Sequence, residues 1–303
     1  MEKSSVWVII LNWNNAADTL ACLNSVFRSD YPNFHVLVVD NGSTDGSPEA
    51  VRAAYPTVTL IENGANLGYA EGNNVGIRHA LAHGADYVLL LNNDTTVDSS
   101  CLANLIHIAQ ENPNAAFLGP KIYHREDPLR IQSAGRCWIS RQSLVHRGQD
   151  EIDRGQYDVL AEVDAISGCA MLANKQAIEH IGLLDPRFFM YCEDNDWCYR
   201  ARSVGYKVLY VPTARAFHRR PNANEAQLPR ITYYMTRNHL LFLHKNRAGL
   251  YALARVVLLE YFRTLISWTI RPRWKHKRRE RDALLLGLLD FLRGCFGRAK
   301  HSL

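Results

Sequence analysis

The sequence predicts a doubly wound α/β fold with a mostly parallel sheet, followed by a helical, basic C-terminal extension. Three observations point there. Apolar runs alternate with helical patterns over roughly the first 110 residues. Clusters of Asn, Asp and Gly stand where the apolar runs stop. Charge is also divided: residues 230–303 carry 16 Lys and Arg against 4 Asp and Glu, whereas residues 1–229 carry 19 against 26. With 47% hydrophobic residues the chain can bury a real core. We read residues 1–229 as the α/β domain and 230–303 as the extension.

The elements follow in order. Residues 6–11 (VWVIIL) are apolar throughout and rich in β-branched side chains, as in a strand covered on both faces. Residues 18–27 place Leu20, Leu23, Val26 and Phe27 at helical spacing. A second strand, 36–39, ends at Asp40-Asn41-Gly42-Ser43, and a helix opens at Pro48. Residues 57–61 form a third strand, 73–82 a helix and 87–91 (YVLLL) a fourth strand stopping at Asn92-Asn93-Asp94. Residues 120–165 read as strands and loops flanking the site. Residues 163–173 are apolar with a break at Ser167-Gly168; 175–181 and 194–204 are helical, and 207–211 is a strand ended by Pro212. From residue 231 the pattern is helical, interrupted at Pro272.

Other classes are disfavoured. Seven cysteines without a C-x-x-C pair indicate neither a zinc ribbon nor a disulfide framework, so reduced thiols in a cytosolic compartment are expected. The polar residues 1–5 lead straight into a strand, without the pattern of a signal peptide. Arg255, Glu260 and Arg263 interrupt the apolar stretch 250–270 and argue against a membrane span. The loop after the first strand, Asn12-Trp13-Asn14-Asn15, lacks the G-x-G-x-x-G of dinucleotide folds.

In open α/β sheets ligands bind beyond the carboxyl ends of the strands, so the polar clusters should converge on one crevice. Asp40 is placed to accept a hydrogen bond from a nucleobase ring N–H, or to close an Asx turn in loop 40–47. Asn66, Gly68, Asn73 and Asn74 form a Gly-rich approach to a helix, suited to a ribose or to a plain turn. Asn93 and Asp94 offer oxygen ligands to a cation at a diphosphate, or make an Asn/Asp turn. Glu193, Asp194 and Asp196 crowd three carboxylates among Phe188, Phe189, Met190, Tyr191 and Trp197, which argues against plain solvation. The alternative for Asp194 is a helix cap beside a salt-bridged helix carrying Arg200 and Arg202.

The segments VIILNWNN, VVDNGSTDGS, NLGYAEGNNVGI, LLLNNDTTVD, ISGCAML and FFMYCEDNDWCYRARSVGY together resemble the family 2 inverting glycosyltransferases of GT-A fold. The resemblance spans about residues 5–220 and leans toward the bacterial rhamnosyltransferase-like enzymes of surface polysaccharide assembly. It implies a dTDP- or UDP-sugar donor contacted by Asn12, Trp13, Asn14, Asp40, Asn66, Gly68, Asn74 and Asn93. It implies a Mg²⁺ or Mn²⁺ ion on Asp94 and His218, with Arg219 and Arg220 available to the diphosphate. Asp194 is implied as the base, with Gly168, Glu193, Asp196 and Trp197 on the side of a saccharide or polyprenyl-diphosphate-linked acceptor.

The run 271–281 (RPRWKHKRRER) between two apolar segments suits an interfacial anchor on anionic lipids, with Trp268 and Trp274 at headgroup level. That places the protein at the inner face of the cell membrane, peripheral and cytoplasmic. Two other classes stay open: a nucleic-acid-binding protein using the basic tail, and an inactive glycosyltransferase-like scaffold. Acidic strand-end loops disfavour the first, and the presence of both Asp94 and Asp194 the second.

Overall fold

The computed structural model describes residues 3–140, 143–219, 229–246 and 249–301, with backbone alone for 250–252. The strands are β1 (Val6–Asn12), β2 (Phe34–Asp40), β3 (Thr59–Glu62), β4 (Tyr87–Asn92), β5 (Thr95–Val97), β6 (Ala115–His124), β7 (Asp127–Ser133), β8 (Arg136–Trp138), β9 (Leu144–His146), β10 (Ala161–Glu162), β11 (Ala170–Asn174) and β12 (Lys207–His218). The sheet runs β10-β12-β6-β11-β4-β1-β2-β3, with β5 beside β12 and β7 beside β6; β8 and β9 form a separate hairpin. Pairs β3/β2, β2/β1, β1/β4 and β6/β12 are parallel, whereas β11 runs antiparallel between β4 and β6.

The early strands are apolar throughout because both faces are covered. Val6, Val8 and Ile10 of β1 join a core with helices α1 (Ala16–Val26), α2 (Ser47–Ala54) and α4 (Cys101–Glu111). Trp7 and Ile9 face the other way, toward α3 (Gly68–Ala82), α5 (Lys175–Ile181) and α6 (Glu193–Ser203). Helix α3 begins five residues before its expected start. Its glycines weaken the sequence signal for a helix, but a Cβ on Gly72 would meet Leu11 at 2.6 Å, and one on Gly76 would meet Ile9 at 2.6 Å. Only a bare backbone lets α3 lie this close to β1.

Strand β12 does not stop at Pro212. A register shift between Val211 and Arg215 loops the intervening residues out of the ladder, where a missing N–H costs nothing, and pairing resumes to His218. There Ala216, Phe217 and His218 pair with Val97, Thr96 and Thr95 of β5.

The C-terminal region is helical as expected: α7 (Pro229–Asn246), α8 (Leu250–Val256) continuing through a π turn into α9 (Arg263–Ile270), and, after Pro272, α10 (Arg278–Leu292). It is no free tail. Leu240, Leu241, Phe242, Leu243, Leu284 and Leu288 share a core with Phe188 and Cys192. Among the described residues no helix is long and apolar enough to cross a membrane.

Candidate active site

Parallel register brings the donor-side residues together. Asn12 stands opposite Asp40 at the carboxyl ends of β1 and β2, and Leu11 stands opposite Asn92 of β4. Asn12 is the hub: its amide donates to Asp40 Oδ1 (2.7 Å) and Ser43 Oγ (3.1 Å), and its carbonyl accepts from Thr19 Oγ1 (2.8 Å) and Asn93 Nδ2 (3.2 Å). Asp40 is buried and also accepts from Ser43 N (2.8 Å) and Ser43 Oγ (2.6 Å), so the Asx turn is present. Those bonds occupy three of about four lone-pair positions of the carboxylate, leaving one for a ligand. Asn14, with φ +52°, orders the same loop through Thr44 N, while Trp13 stays 42% exposed at the mouth under the Arg230 guanidinium.

Asn66 caps the next turn through Gly68 N (2.8 Å). Gly68 has φ +82°, and a Cβ there would meet the Phe189 backbone oxygen at 2.5 Å, so only glycine fits. Asn74 is a correction to the expected nucleotide contacts. It is buried and exchanges hydrogen bonds with both backbone groups of Leu184 (2.9 and 3.1 Å), pinning a loop instead.

Asp94 and His218 meet because β5 pairs with β12. His218 Nε2 lies 3.2 Å from Asp94 Oδ1, a buried oxygen without a hydrogen-bond partner. His218 Nδ1 lies 2.9 Å from Gln132 Oε1 and donates to it, which turns Nε2 toward the carboxylate, where a neutral ring presents its lone pair. An orphaned oxygen facing an imidazole lone pair fits a cation held between them. Among the described residues no third His, Cys, Asp or Glu completes a ligand set, which leaves coordination positions to a ligand's own oxygens. Arg125 and Arg219 pair with Asp18 beside this point, and Arg219 N donates to Asp94 O (3.2 Å). Burial raises the Asp18 pKa, but bonds from Asn15 and Arg125 outweigh that and hold it low. Arg220 lies outside the described residues.

The residues expected on the acceptor side, Gly168, Glu193 and Asp194, lie on the same edge. Gly168 N donates to Asp194 Oδ2 (3.0 Å), its carbonyl accepts from Tyr69 Oη (2.6 Å), and the adjacent Cys169 O accepts from Asn92 N (3.0 Å). A continuous chain of contacts thus runs from Asp40 through Asn12 to the β4 end and on to Asp194. Burial, then the charges of Glu193, Asp194 and, more weakly, Asp94, push the Tyr69 hydroxyl well above its ordinary pKa. Glu193 and Asp194 open α6, whose dipole favours negative charge. Glu193 Oε2 is buried without a hydrogen-bond partner, and burial, followed by the Asp194 charge, pushes its pKa up to about 8.

Asp196 and Trp197 do not reach the acceptor side. Asp196 is fully buried, bound by Arg200 (2.9 Å), Lys245 (3.0 Å) and Asn246. Trp197 packs on Phe117 and donates to Gly182 O (2.8 Å). In the run EDNDW all but Asn195 are buried, and the helix carries Asp196 and Trp197 deepest, away from Gly168.

Sequence reasoning missed the groups that hold these residues. Arg136 of β8 binds Asp194 Oδ2 (2.9 Å), and Asn238 of α7 donates to the carbonyls of Phe188 (2.6 Å), Met190 (2.7 Å) and Tyr191 (3.1 Å). Phe189, Tyr191 and Cys192 all have positive φ (62°, 70° and 72°), and such strain persists only where surroundings enforce it. Nothing in a single sequence marks Asn238 or Arg136; only the strained, aromatic segment itself is a signal.

The sequence profile of the glycosyl transferase family 2 domain matches residues 7–182 of 303. Similar proteins include dTDP-rhamnosyl transferase RfbF of Shigella flexneri, 26% identical over 309 aligned positions that cover 99% of both chains. N-acetylglucosaminyl-diphospho-decaprenol L-rhamnosyltransferase of Mycobacterium tuberculosis is 28% identical over 258, covering 78% of this chain and 79% of that one. Among solved structures, a mannosyltransferase of Pyrobaculum calidifontis in complex with GDP-Man and Mn²⁺ superposes with a TM-score of 0.60 at 15% identity, over 96% of this chain and 88% of that one, a likeness of fold. A profile match over more than half of the sequence, on this mixed sheet of GT-A architecture, makes the chain a glycosyltransferase of family 2.

Proposed function

We propose that this enzyme transfers rhamnose from dTDP-rhamnose, with inversion, to a polyprenyl-diphosphate-linked saccharide acceptor in cell-surface glycan assembly. The carrying observation is that the Asp94–His218 pair and Asp194 lie on one sheet edge, joined through Asn92, Cys169 and Gly168. The similarity to two named rhamnosyltransferases supports the sugar and the acceptor class.

On this reading the base sits in the loop ordered by Asp40, Asn12 and Ser43, against Trp13. Asp94 and His218 would hold Mg²⁺ or Mn²⁺, which when bound neutralises charge developing on the departing diphosphate. Asp194 accepts the proton of the attacking acceptor hydroxyl as its oxygen bonds to the anomeric carbon. The bond from that carbon to the diphosphate breaks, and its electron pair leaves with the diphosphate. One displacement inverts the centre, so no covalent nucleophile is required. Burial of Asp194 keeps water from competing for the same carboxylate.

The extension supports work at the cytoplasmic face of a membrane. Leu258, Leu259, Phe262, Ile266 and Ile270 are 45–72% exposed and follow one side of α8–α9 and the turn between them. The basic run 271–281 continues from that stripe, the pairing expected of a helix lying on anionic lipid. Trp268 turns inward to the core shared with Phe188, leaving Trp274, beneath Arg273, as the interfacial aromatic.

A panel of dTDP-, UDP- and GDP-sugars, scored by thermal stabilisation and turnover with Mn²⁺ or Mg²⁺, tests the donor reading. We expect dTDP-rhamnose to stand out and chelation to abolish its effect; preference for a GDP-sugar would overturn it. Replacing Leu259 and Phe262 by Glu should abolish sedimentation with phosphatidylglycerol vesicles, and unchanged sedimentation would reject the anchor.

A further inference from the structure

Arg136 is not a residue that the strand-end logic of the fold would bring to the chemistry. It lies on the β8–β9 hairpin, outside the main sheet, yet both of its terminal nitrogens reach out of the hairpin to Ser167 and to the start of α6. Nη1 donates to Asp194 Oδ2 (2.9 Å) and Asn195 Oδ1 (2.7 Å), Nη2 to Ser167 Oγ (3.4 Å) and Nε to His146 Nε2 (3.1 Å). Its backbone is stitched to the segment leading into Gly168: Arg136 N donates to Ala165 O (2.8 Å), and Asp164 N donates to Arg136 O (2.9 Å).

We propose that Arg136, oriented by His146, is a positioning residue that locks one oxygen of Asp194 and leaves the other to take the acceptor's proton. The inference rests on Asp194 being the base. Oδ2 is held twice, by the guanidinium and by Gly168 N (3.0 Å), whereas Oδ1 accepts only the N–H of the next residue, Asn195 (2.7 Å). The proton from the acceptor hydroxyl therefore goes to Oδ1. Rotation about the Cβ–Cγ bond would exchange the two oxygens, and the planar fork of Arg136 opposes that rotation in a way a point charge does not.

His146 does its part only as the neutral imidazole. Nε2 must present a lone pair to Arg136 Nε, and burial, then the Arg136 charge, push the His146 pKa down to about 3. The hairpin thus carries a relay: a neutral imidazole fixes a guanidinium, and the guanidinium fixes the base.

The test compares Arg136→Ala and Arg136→Lys with the unaltered enzyme, using dTDP with Mn²⁺ as the binding probe and dTDP-rhamnose turnover against pH. Arg136→Ala should leave dTDP affinity in place, lower kcat about 100-fold and move the acidic limb of the rate profile to higher pH. Millimolar guanidinium should restore part of the rate. Arg136→Lys keeps the charge without the fork, so the limb should stay put while kcat still falls. Equal losses in dTDP affinity and kcat with an unmoved limb in both variants would make Arg136 merely structural. Should Arg136→Ala not fold, an Arg136→Lys enzyme with undiminished kcat would overturn the inference. Full turnover by Asp194→Asn would instead sink the base assignment itself, which separates the two failures.

Discussion

On the donor side, Asn12, Asp40 and Asn93 stand at the ends of three neighbouring strands and hold one another directly. On the catalytic side, Glu193 and Asp194 follow a segment with three left-handed residues and are held by groups from a hairpin and a C-terminal helix. The first arrangement is local to a parallel sheet and needs only register. The second is imposed from a distance: Asn238 donates to three carbonyls, and Lys245 and Asn246 anchor Asp196 one turn further on. The ring of bonds around Asn12 does not draw on Arg136 or Asn238, so it should persist when the Phe188–Asp194 segment is loosened. The difference also changes the meaning of the C-terminal extension. Its apolar stripe faces outward, while α7 on its inner side builds the site.

Substitutions at the two sides should separate accordingly. The largest loss of donor binding is expected from Asp94→Ala and from His218→Ala, each lowering Mn²⁺-dependent dTDP affinity about 100-fold or more by calorimetry, since each removes a ligand. Comparable affinity in the variants would mean that the orphaned Asp94 oxygen has no cation to serve. Asn238→Ala should act on the other side. It removes the side-chain donor of the Met190 and Tyr191 carbonyls and one of the donors of Phe188 O, and lets the strained turn relax, so kcat should fall about 100-fold with dTDP affinity little changed. An affinity loss as large as the kcat loss would erase the distinction between the two sides. Gln132→Leu is expected to be milder, about a tenfold weakening of metal affinity, because it frees His218 without removing it.

How much of this was legible follows the same divide. Strand ends are visible in sequence because an apolar run stops abruptly at Asn, Asp or Gly; the ends at Asp40 and at Asn92-Asn93-Asp94 are legible that way, whereas His218 enters through the resemblance. Pro212 misled, since a proline in a bulge looks like a strand terminus until the register is known. The resemblance implies Asn74, Asp196 and Trp197 as site residues, whereas the helices carrying them turn these side chains into the protein. Arg136, Gln132 and Asn238 were invisible, because each acts through a contact 47 to 86 positions away. Pattern within one segment cannot report such a partner.

The smallest expected effect concerns stability. Folded Glu193 keeps its proton up to about 8, whereas the unfolded chain releases it near the ordinary 4.5. The stability it supports is whole below the lower value and is lost as pH rises through the upper one. Glu193→Gln lacks that loss, so its thermal midpoint should gain on the unaltered protein as pH rises between those values and then level off. Parallel pH curves would place Glu193 in a solvated, unstrained environment.

The division of labour between the two sides is tested most directly in Asp194→Asn, by measuring Mn²⁺–dTDP affinity and dTDP-rhamnose turnover on the same preparation. We expect affinity to stay near that of the unaltered enzyme, with turnover falling by about 100- to 10,000-fold. Near-normal turnover, or affinity lost in step with rate, would contradict the account.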